Sequence, residues 1–182
     1  MKLFSYLLAS LLIVFACFAQ ADTRKKIYSS GSWTLYEADE VDVSYPSGST
    51  RILDEMCVAE LASKTASFQI VMMSSQTANE LRSNRGCPWI MISSPNWSFR
   101  KRERLLSLIG PFNLTIPADF SGSRIQTAIG DPSGCYAFHA FMDMAGGTID
   151  VQTHEGKVLA KFPANGLPAV GKQLLRCAGV KR

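Results

Sequence analysis

The chain has 182 residues, with 19 Lys and Arg against 15 Asp and Glu and a net charge of +4. That length fits one domain or two small ones and excludes a (β/α)₈ barrel of about 250 residues. With 47% apolar and 19% charged residues, it also excludes a chain too polar to bury a core.

In chain order, the first segment reads as a secretory signal over residues 1–21. Lys2 supplies the positive start, Leu7–Phe18 an uncharged apolar run, and Ala19-Gln20-Ala21 the small residues of a cleavage site. The run is shorter than the roughly 20 residues a membrane span needs. Val14-Phe15-Ala16-Cys17 loosely matches a bacterial lipobox, so Cys17 is a second possible processing point. Cleavage after Ala21 removes Lys2 and Cys17 and leaves residues 22–182 as a single β-rich domain with an even set of cysteines. An even cysteine count in an exported chain points to disulfides. Cys57, Cys87, Cys135 and Cys177 allow three pairings. The sequential one, Cys57 with Cys87 and Cys135 with Cys177, is favoured because it staples two local halves.

Alternation dominates the chain from Trp33 to Ile129. Trp33–Tyr36 begins the first predicted strand, and Asp39–Ser49 reads as an acidic, turn-like loop. Cys57–Ala62 is a further strand. Ser67–Met73 sets Phe68, Ile70 and Met72 against Gln69, Val71 and Met73, the period of a strand partly buried on its second face. Gln76–Arg85 is polar enough for a loop or a short helical turn. Cys87–Ser93 opposes Trp89, Met91 and Ser93 to Ile90 and Ile92. Ser94-Pro95-Asn96 breaks that strand, and Arg100–Arg104 reads as an exposed basic connection before an apolar strand at Leu105–Ile109. Phe112–Ile116 alternates and is expected to end at Pro117. Arg124–Ile129 is a short strand before a turn over Gly130–Gly134.

Tyr136–Met144 gathers Phe138 and Phe141 on one side and reads as a short helix stopped by Gly146-Gly147. Thr148–Thr153 and Val158–Phe162, joined at His154–Lys157, form the clearest hairpin signal. Pro168–Cys177 spaces Val170, Leu174 and Cys177 at helical intervals, with Pro168 near the start and Gly179 past the end. The expected fold is mainly β: one sandwich or curled antiparallel sheet with one or two short helices, including a C-terminal helix.

Chemical motifs are sparse. The chain has no phosphate-binding Gly-rich loop, HExxH helix, G-x-S-x-G elbow or C-x-x-C pair. No metal or cofactor site is therefore expected. His139 and Asp143 stand four apart, so a helix would set both on one face, but no serine is marked as a nucleophile. Asp39, Glu40 and Asp42 lack the oxygen-ligand series of a calcium loop. The sharper surface feature is basic and aromatic: Trp97, Phe99, Arg100, Lys101, Arg102 and Arg104. Such a run suits an anionic surface or an acidic envelope protein. Nucleic acid, which uses similar interleaving, is disfavoured by export and by the modest net charge.

The order of Cys87–Asn113 (strand, Ser94-Pro95-Asn96-Trp97, basic stretch, apolar strand) and the later run carry a resemblance. That later run is Phe138–Met144, Gly146-Gly147, Thr148–Val151, Phe162 and Leu174-Leu175-Arg176-Cys177. Together, over Trp33–Cys177, they resemble exported bacterial proteins of the invasion-associated locus B type. The resemblance implies a small β-rich periplasmic domain associated with the envelope or with host colonisation, and it carries no active site. The expected function is a non-catalytic periplasmic or secreted binding or accessory protein, such as an inhibitor or host-association factor. A small envelope-acting hydrolase is the alternative. After signal cleavage no transmembrane segment remains.

Overall fold

The computed structural model describes residues 24–44, 50–73, 87–129 and 132–180. The predicted signal segment and the Gln76–Arg85 stretch lie outside the described residues. The strands are β1 (Lys25–Ser30), β2 (Trp33–Ser44), β3 (Thr50–Ala62), β4 (Ser67–Met73), β5 (Trp89–Ser93), β6 (Phe99–Ile109), β7 (Asn113–Gly122), β8 (Arg124–Ala128), β9 (Thr148–Thr153) and β10 (Val158–Pro163). Helix α1 spans Pro132–Met144 and helix α2 spans Leu167–Cys177.

All ten strands among the described residues belong to one antiparallel sheet in the order β1-β2-β3-β4-β5-β8-β7-β6-β9-β10. The first five form a simple meander. The next three enter in reverse, so β5 meets β8 rather than β6. The hairpin β9–β10 then joins through β9 to β6.

Period-two alternation sends one row of each strand to a shared concave face. Phe68, Ile70 and Met72 of β4 and Ile90 and Ile92 of β5 are all buried there, as their alternation predicts. The two helices cover this face. α1 buries Cys135, Phe138, Phe141 and Met142, and α2 buries Leu167, Val170, Gly171, Leu174 and Leu175. Gly171 of α2 faces Met142 of α1, where even a Cβ would stand in ordinary van der Waals contact. Burying each of the two α1 phenylalanines contributes about 2–3 kcal/mol.

The sheet curls until its ends meet. Phe68 of β4 lies edge-on to Trp33 of β2 at 5.5 Å and to Phe162 of β10 at 5.4 Å. The Trp33 indole N–H donates to the Pro163 carbonyl at 3.0 Å, and the Ser32 amide donates to the Asn165 carbonyl at 3.3 Å. The expectation of a curled antiparallel sheet with two short helices, one of them C-terminal, therefore holds. A smaller apolar cluster of Ala38, Met56, Val58 and Val71 lies on the convex face, with Tyr36, Met73, Trp89 and Met91 packed around it. This gives the second burial face inferred for β4. Beside it, Arg24 sits over the Tyr36 ring and pairs with Glu60 at 2.8 Å.

Several local expectations change. β1 has no counterpart in the sequence reading: its burial is slight, so its hydrophobic period is weak. Asp39, Glu40 and Asp42 fall within β2 rather than in a loop, because pairing with β3 continues to Ser44 and Thr50. Pro117 does not end β7, which runs to Gly122. β8 pairs with β7 only over Asp119–Ser121, so at Pro117 one side of the strand is locally an edge, where a missing N–H is tolerated. The Thr127 hydroxyl donates to the Pro117 carbonyl across that opening at 2.6 Å. α1 starts at Pro132, so Pro132–Gly134 form its first turn rather than a separate one.

The disulfides also differ from the favoured sequential pairing. Cys57 is bonded to Cys177, and Cys87 to Cys135. Cys57 lies on β3 while Cys177 ends α2. Cys87 precedes β5 while Cys135 lies in the first turns of α1. Each bridge ties a helix to the sheet, which chain proximity could not reveal. Two disulfides fit an oxidising, extracytoplasmic compartment. No helix among the described residues is long and apolar enough to cross a membrane.

Candidate functional site

The basic stretch is part of strand β6, not a turn. Its cations still reach solvent because β6 projects past its partner β9, whose pairing begins only at Leu106. Arg100, Lys101 and Arg102 are exposed and Arg104 is half-buried.

Register divides them. Phe99 pairs with Gly122 and Arg102 with Phe120, so β6 uses one residue more than β7 between these points. Arg100 and Lys101 consequently share one partner position, Ser121, in a β-bulge. Arg102 and Arg104 lie on the row that continues through Leu106 and Leu108 towards the core. Glu103 pairs with Asp119 on the opposite row.

The aromatics serve packing. Trp97 lies 5.4 Å from Phe99, which stands edge-on to the buried Phe120 at 5.2 Å. Both Trp97 and Phe99 pack on the main core. The Arg104 guanidinium covers Phe120 at 5.8 Å from the ring centre. Its Nε is buried with no hydrogen-bond partner among the described residues, and the cation–π contact offsets part of that loss.

Arg104 also faces the β9–β10 turn. The Glu155 carboxyl there is held below its ordinary value, first by a hydrogen bond from the Thr153 side chain, then by its own backbone N–H, with Arg104 and His154 adding smaller attraction. Arg100, Lys101, Arg102 and Arg124 make no ion pair among the described residues.

Two residues missed by sequence reasoning complete this end. Arg124 pairs with Ser121 on one side and Ser93 on the other. Lys64 is exposed in the β3–β4 turn, beside Ser67, which pairs with Ser93. No local sequence signal could have found them, because β8 reaches β5 only through the reversed strand order.

The alternative catalytic pair lies elsewhere. His139 and Asp143 are on α1, away from its buried row, and the His139 ring stands edge-on to the exposed Tyr136. No group of three metal-ligating side chains occurs among the described residues. Comparison of the chain with protein-family models, curated proteins and solved structures gives no match.

Proposed function

We propose that this is a non-catalytic binding or accessory protein of the cell envelope, periplasmic or secreted, which recognises an anionic partner through the basic end of β6. One observation carries this reading. Arg100, Lys101 and Arg102 are exposed on a paired strand and have no carboxylate partner among the described residues. Strand pairing already orders the backbone that carries these cations, and exposed cations can steer an anionic partner. Trp97 and Phe99 act as the packed base of the site rather than as contacts. The resemblance to invasion-associated locus B-type proteins supports the envelope setting, as do the disulfides.

The test is crosslinking in the native envelope, comparing the natural chain with a variant in which Arg100, Lys101, Arg102 and Arg104 are all replaced by glutamine. The expected result is loss of the crosslinked partner and of most of the salt dependence of its capture. Capture that is unchanged in yield and in salt response would overturn the proposal.

A further inference from the structure

We infer that the end of the sheet around the β6 bulge is a docking surface for an anionic phospholipid membrane. The inference rests on the reading of basic β6 as the recognition surface and extends it to residues from four other strands and a turn.

Sheet register builds the surface. Ser67 pairs with Ser93, Ser93 with Arg124, Arg124 with Ser121, and Ser121 stands opposite Arg100 and Lys101. Paired residues share a face, so this is one lateral row across β4, β5, β8, β7 and β6. At about 4.8 Å per strand it is about 19 Å wide. The Ser67 and Ser93 hydroxyls lie 2.9 Å apart.

Just beyond the row, three connections end side by side: the β3–β4 turn with Lys64, the β5–β6 turn, and the β7–β8 turn. Residues 61–67, 93–102 and 120–124 contain Lys64, Arg100, Lys101, Arg102 and Arg124 and not one Asp or Glu. The whole chain carries a net charge of only +4, so these five cations exceed the protein's entire positive excess. Glu103 and Asp119 stand one row further in. They repel an anion that moves inward and confine contact to the rim.

The shape of this charge selects the partner. Cations and hydroxyls spread along a rim match a plane of phosphate groups, each cation meeting a different headgroup. A single-stranded nucleic acid needs exposed rings for stacking, but the Trp97 and Phe99 rings are engaged with each other and with the core. An acidic protein needs desolvated apolar anchors. Among the described residues, the exposed large apolar side chains Ile27, Leu105, Tyr136, Met144 and Val158 all lie outside these connections.

The experiment is flotation of the purified, disulfide-bonded protein with vesicles of equal parts phosphatidylglycerol and phosphatidylcholine, and with phosphatidylcholine alone. The protein should float with the anionic vesicles only and dissociate as salt is raised. Replacing Arg100, Lys101 and Arg124 together by glutamate should weaken partitioning by about 100-fold or more. Replacing Lys26 and Lys172, which are exposed elsewhere, should change it little. Near-ultraviolet circular dichroism checks folding, and glutamine at the same three positions replaces any glutamate variant that misfolds.

Three outcomes overturn the inference: no anionic-vesicle binding, binding unaffected by the triple variants, or capture of a single-stranded oligonucleotide or an acidic polypeptide at lower protein concentration than vesicles. If vesicles fail while envelope crosslinking remains dependent on the β6 cations, the membrane assignment falls and the proposed function stands.

Discussion

At the residue scale, close approaches and single hydroxyls do much of the positioning. Gly166 has φ of +90° and lies where a side-chain carbon would collide with the Ser30 carbonyl. Gly31, with φ of +55°, sits against Asn165 in the same contact. Here the β1–β2 turn meets the entry to α2, and a Cβ would push two backbones apart. Gly166→Ala should therefore lower stability by at least about 2 kcal/mol, combining left-handed strain with backbone displacement. A urea unfolding midpoint unchanged from the natural chain would contradict this. Thr153 works differently. Its hydroxyl bonds the Glu155 carboxyl and accepts the Lys157 amide at 3.3 Å. Because the folded Glu155 carboxyl lies below its ordinary value, its contribution is complete above that value and is lost as pH falls through the folded one. Thr153→Val should raise the Glu155 titration midpoint towards 4.5. The stability gap between variant and natural chain should then narrow on acidification, with carboxyl-carbon NMR reading the midpoint.

At the element scale, the disulfides decide how the helices are held. They close separations of 120 and 48 residues, and loop entropy alone gives upper values of about 5 and about 4 kcal/mol. Replacing Cys57 and Cys177 together by alanine should cost several kcal/mol by urea denaturation and loosen α2 in particular. A non-reducing peptide map should link Cys57 to Cys177 and Cys87 to Cys135. A peptide joining Cys57 to Cys87 would reject this arrangement. The helices need the support: α1 has no acidic residue in its first turn and no basic residue in its last, and the α2 N-cap makes no side-chain hydrogen bond. Their stability comes from the buried face and the bridges rather than from capping.

At the scale of the whole molecule, closure of the sheet depends on a few contacts between distant strands. Trp33 is fully buried and joins β2 to β10 through its indole N–H and the Pro163 carbonyl. Trp33→Phe should keep much of the apolar area but lose that bond, costing about 1–3 kcal/mol once the smaller ring is included. Amide exchange should quicken in β1 and β10 before the central β4, β5 and β8. Uniform acceleration across all strands would count against local opening at the closure. The outer strands carry further protection. β1 and β10 each contain a register shift and exposed lysines, Lys25 and Lys26 on one and Lys161 on the other. Bulges and lysines discourage edge-to-edge addition of another sheet.

The sequence alone determined the fold class, the inward rows of β4 and β5, the β9–β10 hairpin and the two helices. These follow from local alternation, helical spacing and turn chemistry, which act over a few residues. It also marked Arg100–Arg104, because charge is visible without a fold. It could not show that this stretch is a strand: charged residues hide the strand period, and only pairing with β7 discloses it. Nor could it pair the cysteines, since helix-to-sheet contact across 120 residues leaves no local trace. The cationic row is tertiary for the same reason. Arg124 and Lys64 join Arg100 and Lys101 only because β8, β7 and β6 enter the sheet in reverse and then share one register with β4 and β5.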